Sequence, residues 1–378
     1  MVQKRVDQYF VITPPGFEKV CAQEMLELGL TPQNTARGGV AFTGGLRELY
    51  LANLWLRSAS RILVRLGEVR ATDFPTLYQR LGRLPWGRFI RPGQACQIRV
   101  ASHRSRLTHR GRIAKTCRSA IGKALGGPCP EEVSGQKIYL RMVDDLCQVS
   151  LDSSGEHLHR RGYRRAAGPA PLRENLAAGC LLACGYDASL PLIDLMTGAG
   201  TFAVEAALIG LRRAPGMTRS FAFMDWPKYR AGLWQQLQLE ARNQEGSALP
   251  AAIVAIDNNP RAVAAVRENL ATIGLAQSIQ VQTASMQQIR PPAEEGMLIC
   301  NPPYGERLGR EATLTALYRD IGRTYGEKFS PWQGAILIPQ GPLIKSTSLS
   351  LELVCSFANG GIKVDLWRKR MEDCCGLC

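Results

Sequence analysis

Between residues 190 and 340 the chain repeats one pattern, a short apolar run followed by a turn and a helix-forming stretch. Pro191-Leu192-Ile193-Asp194, Ile253-Val254-Ala255-Ile256 and Met297-Leu298-Ile299-Cys300 are short enough to be strands, and a further strand is read at Ile279. Helices are predicted over 202–211 and from Pro260 to about 270, with an Ala/Leu-rich helix over 172–184 ahead of them. Strands that alternate with helices pair in parallel, bury both faces and gather ligands at their carboxyl ends. Asp194, Gly198, Asp257 and Asn301 all fall at such ends. Strands over 334–339, 351–357 and 361–367 close the chain, the last two joined by a tight Asn359-Gly360 turn, so the end of the sheet is antiparallel.

The strand at Met297 runs into Asn301-Pro302-Pro303-Tyr304. Two prolines fix φ and remove their own N–H donors. What remains is a stiff tip offering the Asn301 side-chain oxygen and the Pro302 carbonyl as acceptors beside an aromatic ring. A flat base with an exocyclic NH₂ fits it. The amine donates to both oxygens and the base stacks on Tyr304, a contact worth about 1–3 kcal/mol. Drawing that amine towards tetrahedral geometry in line with an electrophilic carbon is a way to methylate it. The same four residues also suit a plain turn that ends a strand.

After Asp194, Gly198-Ala199-Gly200-Thr201 reads as a turn whose glycines let backbone N–H groups approach a ligand. The segment also fits the dinucleotide fingerprint G-x-G-x-x-A, but Asp257 lies 57 residues past Gly200, where a nicotinamide site wants its acid about 20 on. Asp257 can hold two ribose hydroxyls of a nucleoside cofactor. It also suits capping the helix that Asp257-Asn258-Asn259-Pro260 opens.

The net charge of +15 is uneven: residues 1–168 hold 27 Lys+Arg against 13 Asp+Glu, and residues 169–378 hold 20 against 19. A basic half joined to a nearly neutral half with ligand-type strand ends suggests a nucleic-acid anchor on a catalytic domain. One dense run holds Arg104, Arg106, Arg110, Arg112 and Lys115; a second holds Arg160, Arg161, Arg164 and Arg165. The N-terminal half reads as α+β in short pieces: strands at 9–13, 40–42, 60–66 and 94–101, helices at 17–28, 46–55 and 108–125, and a hairpin over 136–151 turning at Asp144-Asp145. Gly168-Pro169-Ala170-Pro171 reads as a linker. Twelve scattered cysteines and four histidines form no ligand pattern, so no metal is expected, and Cys374-Cys375-Gly376-Leu377-Cys378 reads as a tail of reduced thiols. No membrane-length apolar run or export signal is read, so a cytoplasmic location is expected.

Asp194-Leu-Met-Thr-Gly-Ala-Gly-Thr201 followed by Asn301-Pro-Pro-Tyr-Gly-Glu-Arg-Leu308 resembles the class I S-adenosylmethionine-dependent methyltransferases. More narrowly, it resembles the THUMP-domain RNA guanine N2-methyltransferases of bacterial large-subunit ribosomal RNA. Ala52-Asn-Leu-Trp-Leu-Arg-Ser-Ala-Ser-Arg61 and the segment from Ser154 to Leu176 carry the likeness over nearly the whole chain. The resemblance implies an α/β fold with a C-terminal class I (Rossmann-like) methyltransferase sheet and an N-terminal α+β ferredoxin-like/THUMP RNA-binding region. The implied bounds are 1–58 ferredoxin-like, 59–160 THUMP and 161–378 catalytic. The implied cofactor is S-adenosyl-L-methionine. Thr197, Gly198, Gly200 and Thr201 would cradle its methionine part, Asp194 receive its amino group, and Asp257 with Asn258 its ribose. Arg173 and Glu174 would lie beside it. Ser285 stands where the family has an acid for the adenine amine. Asn301, Pro302, Pro303 and Tyr304 would hold the target amine. The implied partner is 23S ribosomal RNA or a pre-50S particle, with no membrane and no obligate protein partner. Transfer RNA, adenine N6 and a non-catalytic RNA-binding role remain alternatives.

Overall fold

The computed structural model describes residues 6–166, 172–303 and 311–370. Tyr304, the linker glycine and prolines at 168–171 and the C-terminal cysteines lie outside the described residues. Two compact units form, and the chain passes between them more than once. One holds the first strand, Ala22–Leu158 and Thr218–Leu239; the other holds Pro14–Cys21, His159–Met217 and the chain after Glu240.

The first unit carries a seven-stranded sheet of β1 (Asp7–Ile12), β2 (Pro32–Ala36), β3 (Gly39–Gly44), β4 (Arg61–Arg70), β5 (Cys96–His103), β6 (Gln136–Val143) and β7 (Leu146–Asp152). Their order is β2-β3-β1-β4-β7-β6-β5, antiparallel except for β5 beside β6. The β6–β7 turn is Asp144-Asp145, as expected. Both residues have φ near +50° to +62°, the left-handed pair that a two-residue hairpin needs and that aspartate tolerates. The helix Arg110–Leu125 starts where the His109 Nδ1 accepts from Arg112 N (3.1 Å) and stops at Gly126, φ +71°. Arg106, Arg110, Arg112 and Lys115 are exposed around it, and Arg104 is exposed but paired with Asp144 at 2.9 Å.

The second unit carries β8 (Leu192–Leu195), β9 (Ile253–Asp257), β10 (Gln280–Thr283), β11 (Met297–Cys300), β12 (Gln333–Pro339), β13 (Leu351–Asn359) and β14 (Ile362–Lys369), in the order β10-β9-β8-β11-β12-β14-β13. Because side chains alternate across a strand, each central strand feeds two cores. Leu192, Ala255, Ile299 and Leu337 pack with the helices Glu174–Ala183, Thr201–Gly210 and Pro260–Thr272 on one face. Ile193, Val254, Leu298 and Ile336 pack with Tyr318, Tyr325, Phe329 and Trp332 on the other. This two-sided burial explains why the strands read as continuous apolar runs. The last hairpin is antiparallel as expected, but Asn359 pairs with Ile362, so the turn is Gly360-Gly361, both at positive φ. From β8 the sheet grows outward through β9 and β10, then restarts on the other side at β11. Order reverses between β8 and β11, and a crevice opens at their carboxyl ends. Among the described residues no helix is long and apolar enough to cross a membrane.

Candidate active site

Two carboxylates shape the turn that follows β8. Asp194 is 1% exposed, and its Oδ2 accepts from the Thr197 hydroxyl (2.5 Å) and Ala203 N (3.2 Å). Asp257 accepts from Gly198 N through Oδ2 (3.0 Å) and from Asn259 N through Oδ1 (2.9 Å), while Thr197 N donates to Ile256 O (2.9 Å). The turn is therefore stitched to the tip of β9. Gly198 (φ +55°) and Gly200 (φ +80°) are left-handed, and a Cβ on Gly200 would come within 2.9 Å of Val266. Met196 also holds a positive φ, +58°, a strained conformation for a long side chain at the strand end.

Asp194 does not stand open to a ligand; it holds the turn from inside. Burial pushes its carboxyl up to about 7, opposed by the bonds from Thr197 and Ala203. A folded-state value raised above the unfolded value of about 3.9 means that ionisation costs stability as pH climbs from about 4 to 7, and that cost stays constant above about 7. Asp194→Asn keeps an acceptor for both donors and removes the charge. It should be more stable than the parent at pH 8, by up to about 4 kcal/mol, with the difference closing towards pH 4. Urea midpoints at pH 5 and pH 8 check this; an equal difference at both would contradict it.

Helix capping falls to Asn259, whose Oδ1 accepts from Arg261 N (3.0 Å), which leaves Asp257 facing the turn. A cleft of about 130 Å³ opens there, lined by Met196, Asp257, Asn258, Ser285, Met286 and Asp320. Three residues expected from sequence, Asp257, Asn258 and Ser285, thus meet on one wall. Each Asp257 oxygen retains a second acceptor position after its backbone bond. Ser285 donates its hydroxyl to Gln288 Oε1 (3.2 Å), so its own lone pairs face outward from that bond. Leu317 and Asp320 enter from the helix Glu311–Arg323.

The β11 tip stands beside this turn. Ile299 pairs with Asp194 and Cys300 with Leu195, so Asn301 emerges next to Met196, one strand spacing (about 4.8 Å) away. Asn301 Oδ1 is buried and has no hydrogen-bond partner among the described residues. Pro302 is buried and Pro303 half-buried. A buried acceptor without a donor costs about 1–3 kcal/mol, an anomaly that points to a missing ligand.

Arg173 and Glu174 are not among the residues that line this cleft; they line a second cavity. Glu174 is buried and accepts from Arg164 Nε at 2.9 Å; Arg173 is exposed at the N-cap of the helix Glu174–Ala183. The second basic group is only partly at the surface: Arg160 and Arg165 are exposed, whereas Arg161 and Arg164 turn inward. Arg161 is buried, with Nε 3.6 Å from Glu205 Oε1, which also accepts from the Tyr163 hydroxyl (3.1 Å). Arg164 gives its remaining bonds to Leu172 O and Thr201 Oγ1. Thr201 is correspondingly buried and turned towards Arg164. Asn269, which the sequence did not single out, accepts from Arg165 N and Ala166 N and donates to Ala166 O and Ala199 O. It ties the segment after Arg164 to the glycine turn.

A family model described as RMKL-like, methyltransferase domain matches residues 161–349, and one described as RlmL ferredoxin-like domain matches residues 8–63. The protein slr0064 of Synechocystis sp. is 34% identical over 369 residues, 95% of each chain. Ribosomal RNA large subunit methyltransferase K/L of Methylococcus capsulatus is 35% identical over 342 residues, 87% of this chain and 46% of its own. The chain spans about half the length of the K/L relatives it matches. The crystal structure of SMU.472 complexed with SAH superposes with a TM-score of 0.88 at 32% identity, covering 98% of this chain and 99% of that one.

Proposed function

The chain belongs to the family of RMKL-like methyltransferase domains, and from that membership we propose that it transfers a methyl group from S-adenosylmethionine to the exocyclic N2 of a guanine in RNA. The proposed substrate is 23S ribosomal RNA, in the cytoplasm, before the large subunit is complete. The observation that carries this reading is the buried Asn301 Oδ1, without a hydrogen-bond partner among the described residues, one strand away from the glycine turn.

The cleft residues fit the cofactor. Asp257 has acceptor positions left for ribose hydroxyls, Asn258 and Ser285 lie on the same wall, and Met196 and Met286 supply apolar surface for a purine. S-adenosylmethionine bound there supplies a methyl carbon on a positive sulfur with a neutral leaving group. The protein contributes alignment. Asn301 Oδ1 and the Pro302 carbonyl accept the two amine hydrogens, and the prolines keep that pair from relaxing. Residues 301–304 act as one recognition tip in this reading, with Tyr304 stacking the base.

Residues 59–160 act as a THUMP region behind the ferredoxin-like segment, and Arg106, Arg110, Arg112 and Lys115 carry phosphate contacts. Their exposure on one helix and the loop before it supports this. The test is incubation with tritiated S-adenosylmethionine and ribosomal RNA from cells lacking its modifications. Label should enter 23S RNA; label in no RNA would end the proposal.

A further inference from the structure

Resting on the reading of RNA as substrate, we propose that a second cavity binds backbone phosphates of the RNA strand next to the glycine turn. The cavity measures about 370 Å³ and is walled by His159, Arg160, Arg164, Arg173 and Glu174, all in the second unit. Three guanidiniums face one carboxylate, and that carboxylate is already bonded to Arg164 Nε. Arg164 spends Nη2 on Leu172 O and Thr201 Oγ1, but its Nη1 is buried and has no hydrogen-bond partner among the described residues. Guanidinium donors are strongly polar and an acceptor is expected for each. A phosphate oxygen supplies one, and a planar guanidinium suits it.

Arg173 completes the wall. Its side chain caps nothing, although it occupies the N-cap of a ten-residue helix. The helix N-terminus adds partial positive charge on the same side.

Charge decides which anion the cavity takes. The wall carries a net excess of about two positive charges. An amino-acid moiety brings an ammonium with its carboxylate and gains little from that field. A phosphodiester strand brings one uncompensated negative charge per nucleotide. Arg164 also bonds Thr201, the first residue of the helix after the turn, so a phosphate on Arg164 lies one side chain from the start of that helix.

The test uses the full chain and its Arg173→Ala and Arg173→Lys variants; Arg173 is exposed, so folding should be intact. Affinity for an unmodified ribosomal RNA fragment is measured across a salt series, and affinity for S-adenosylhomocysteine by calorimetry. For Arg173→Ala, the plot of log affinity against log salt should be shallower by about 0.7–0.9 for each phosphate that the alanine variant no longer neutralises. Cofactor-product affinity should be unchanged, and lysine should restore most of the slope. A parent that binds RNA and an alanine variant with the same slope would overturn the phosphate site alone. Lost affinity for S-adenosylhomocysteine with an intact RNA slope would assign the cavity to the cofactor carboxylate and overturn it too. A parent that binds no RNA overturns the substrate reading together with this one.

Discussion

Asn301→Ala lowers kcat for methyl transfer by about 10²–10³-fold, the scale of losing one preorganised donor or acceptor at a reacting group. In the proposed arrangement the Asn301 oxygen accepts from the amine, so the effect should fall on the chemical step. Affinity for S-adenosylhomocysteine stays within about twofold. Stability should not fall: the buried Oδ1 has no partner among the described residues, so its removal takes away an unsatisfied acceptor worth about 1–3 kcal/mol of strain. A purely structural asparagine behaves in the opposite way, losing stability and activity together. Asn301→Asp keeps an acceptor at the tip and should retain more activity than alanine. Steady-state kinetics with calorimetry and thermal melts on the same preparations separate these cases.

Asp257→Ala weakens the affinity for S-adenosylhomocysteine by about 10–100-fold, equivalent to about 1.5–3 kcal/mol for hydrogen bonds to a charged group. Two effects combine. The ribose hydroxyls would lose the acceptor proposed for them, and Gly198 N loses the 3.0 Å bond that holds the turn to β9. Asp257→Asn keeps an acceptor for Gly198 N without the charge, so its Kd should fall between parent and alanine. Unchanged affinity in both variants would remove Asp257 from the cofactor site.

The parts of this site that could be read from sequence share a physical cause. In a parallel sheet every carboxyl strand end points to one rim, so Asp194, Gly198, Asp257 and Asn301 could be placed together from short apolar runs alone. The strand pattern does not show that Asp194 also accepts an internal bond from Thr197, three residues on. Partners distant in sequence were out of reach. Arg161 looks like one member of a basic run, yet it is buried against Glu205, 44 positions later. Charge density along a chain cannot tell a surface cation from one held inside. Asp320 and Leu317 reach the cleft from a helix whose side-chain direction only packing determines. The helix Phe74–Leu81 was passed over although Asp73 caps it through Thr76 N and Pro75 lies in its first turn. The polar edge strand Pro32–Ala36 carries no alternation of apolar residues to mark it.

The most direct test of the strand-tip account is the identity of the base that receives the methyl group. Unmodified 23S RNA is methylated by the purified protein, digested to nucleosides and analysed by mass spectrometry. The account predicts N2-methylguanosine as the labelled product, absent with Asn301→Ala. N6-methyladenosine in its place, or N2-methylguanosine formed equally well by Asn301→Ala, would contradict it.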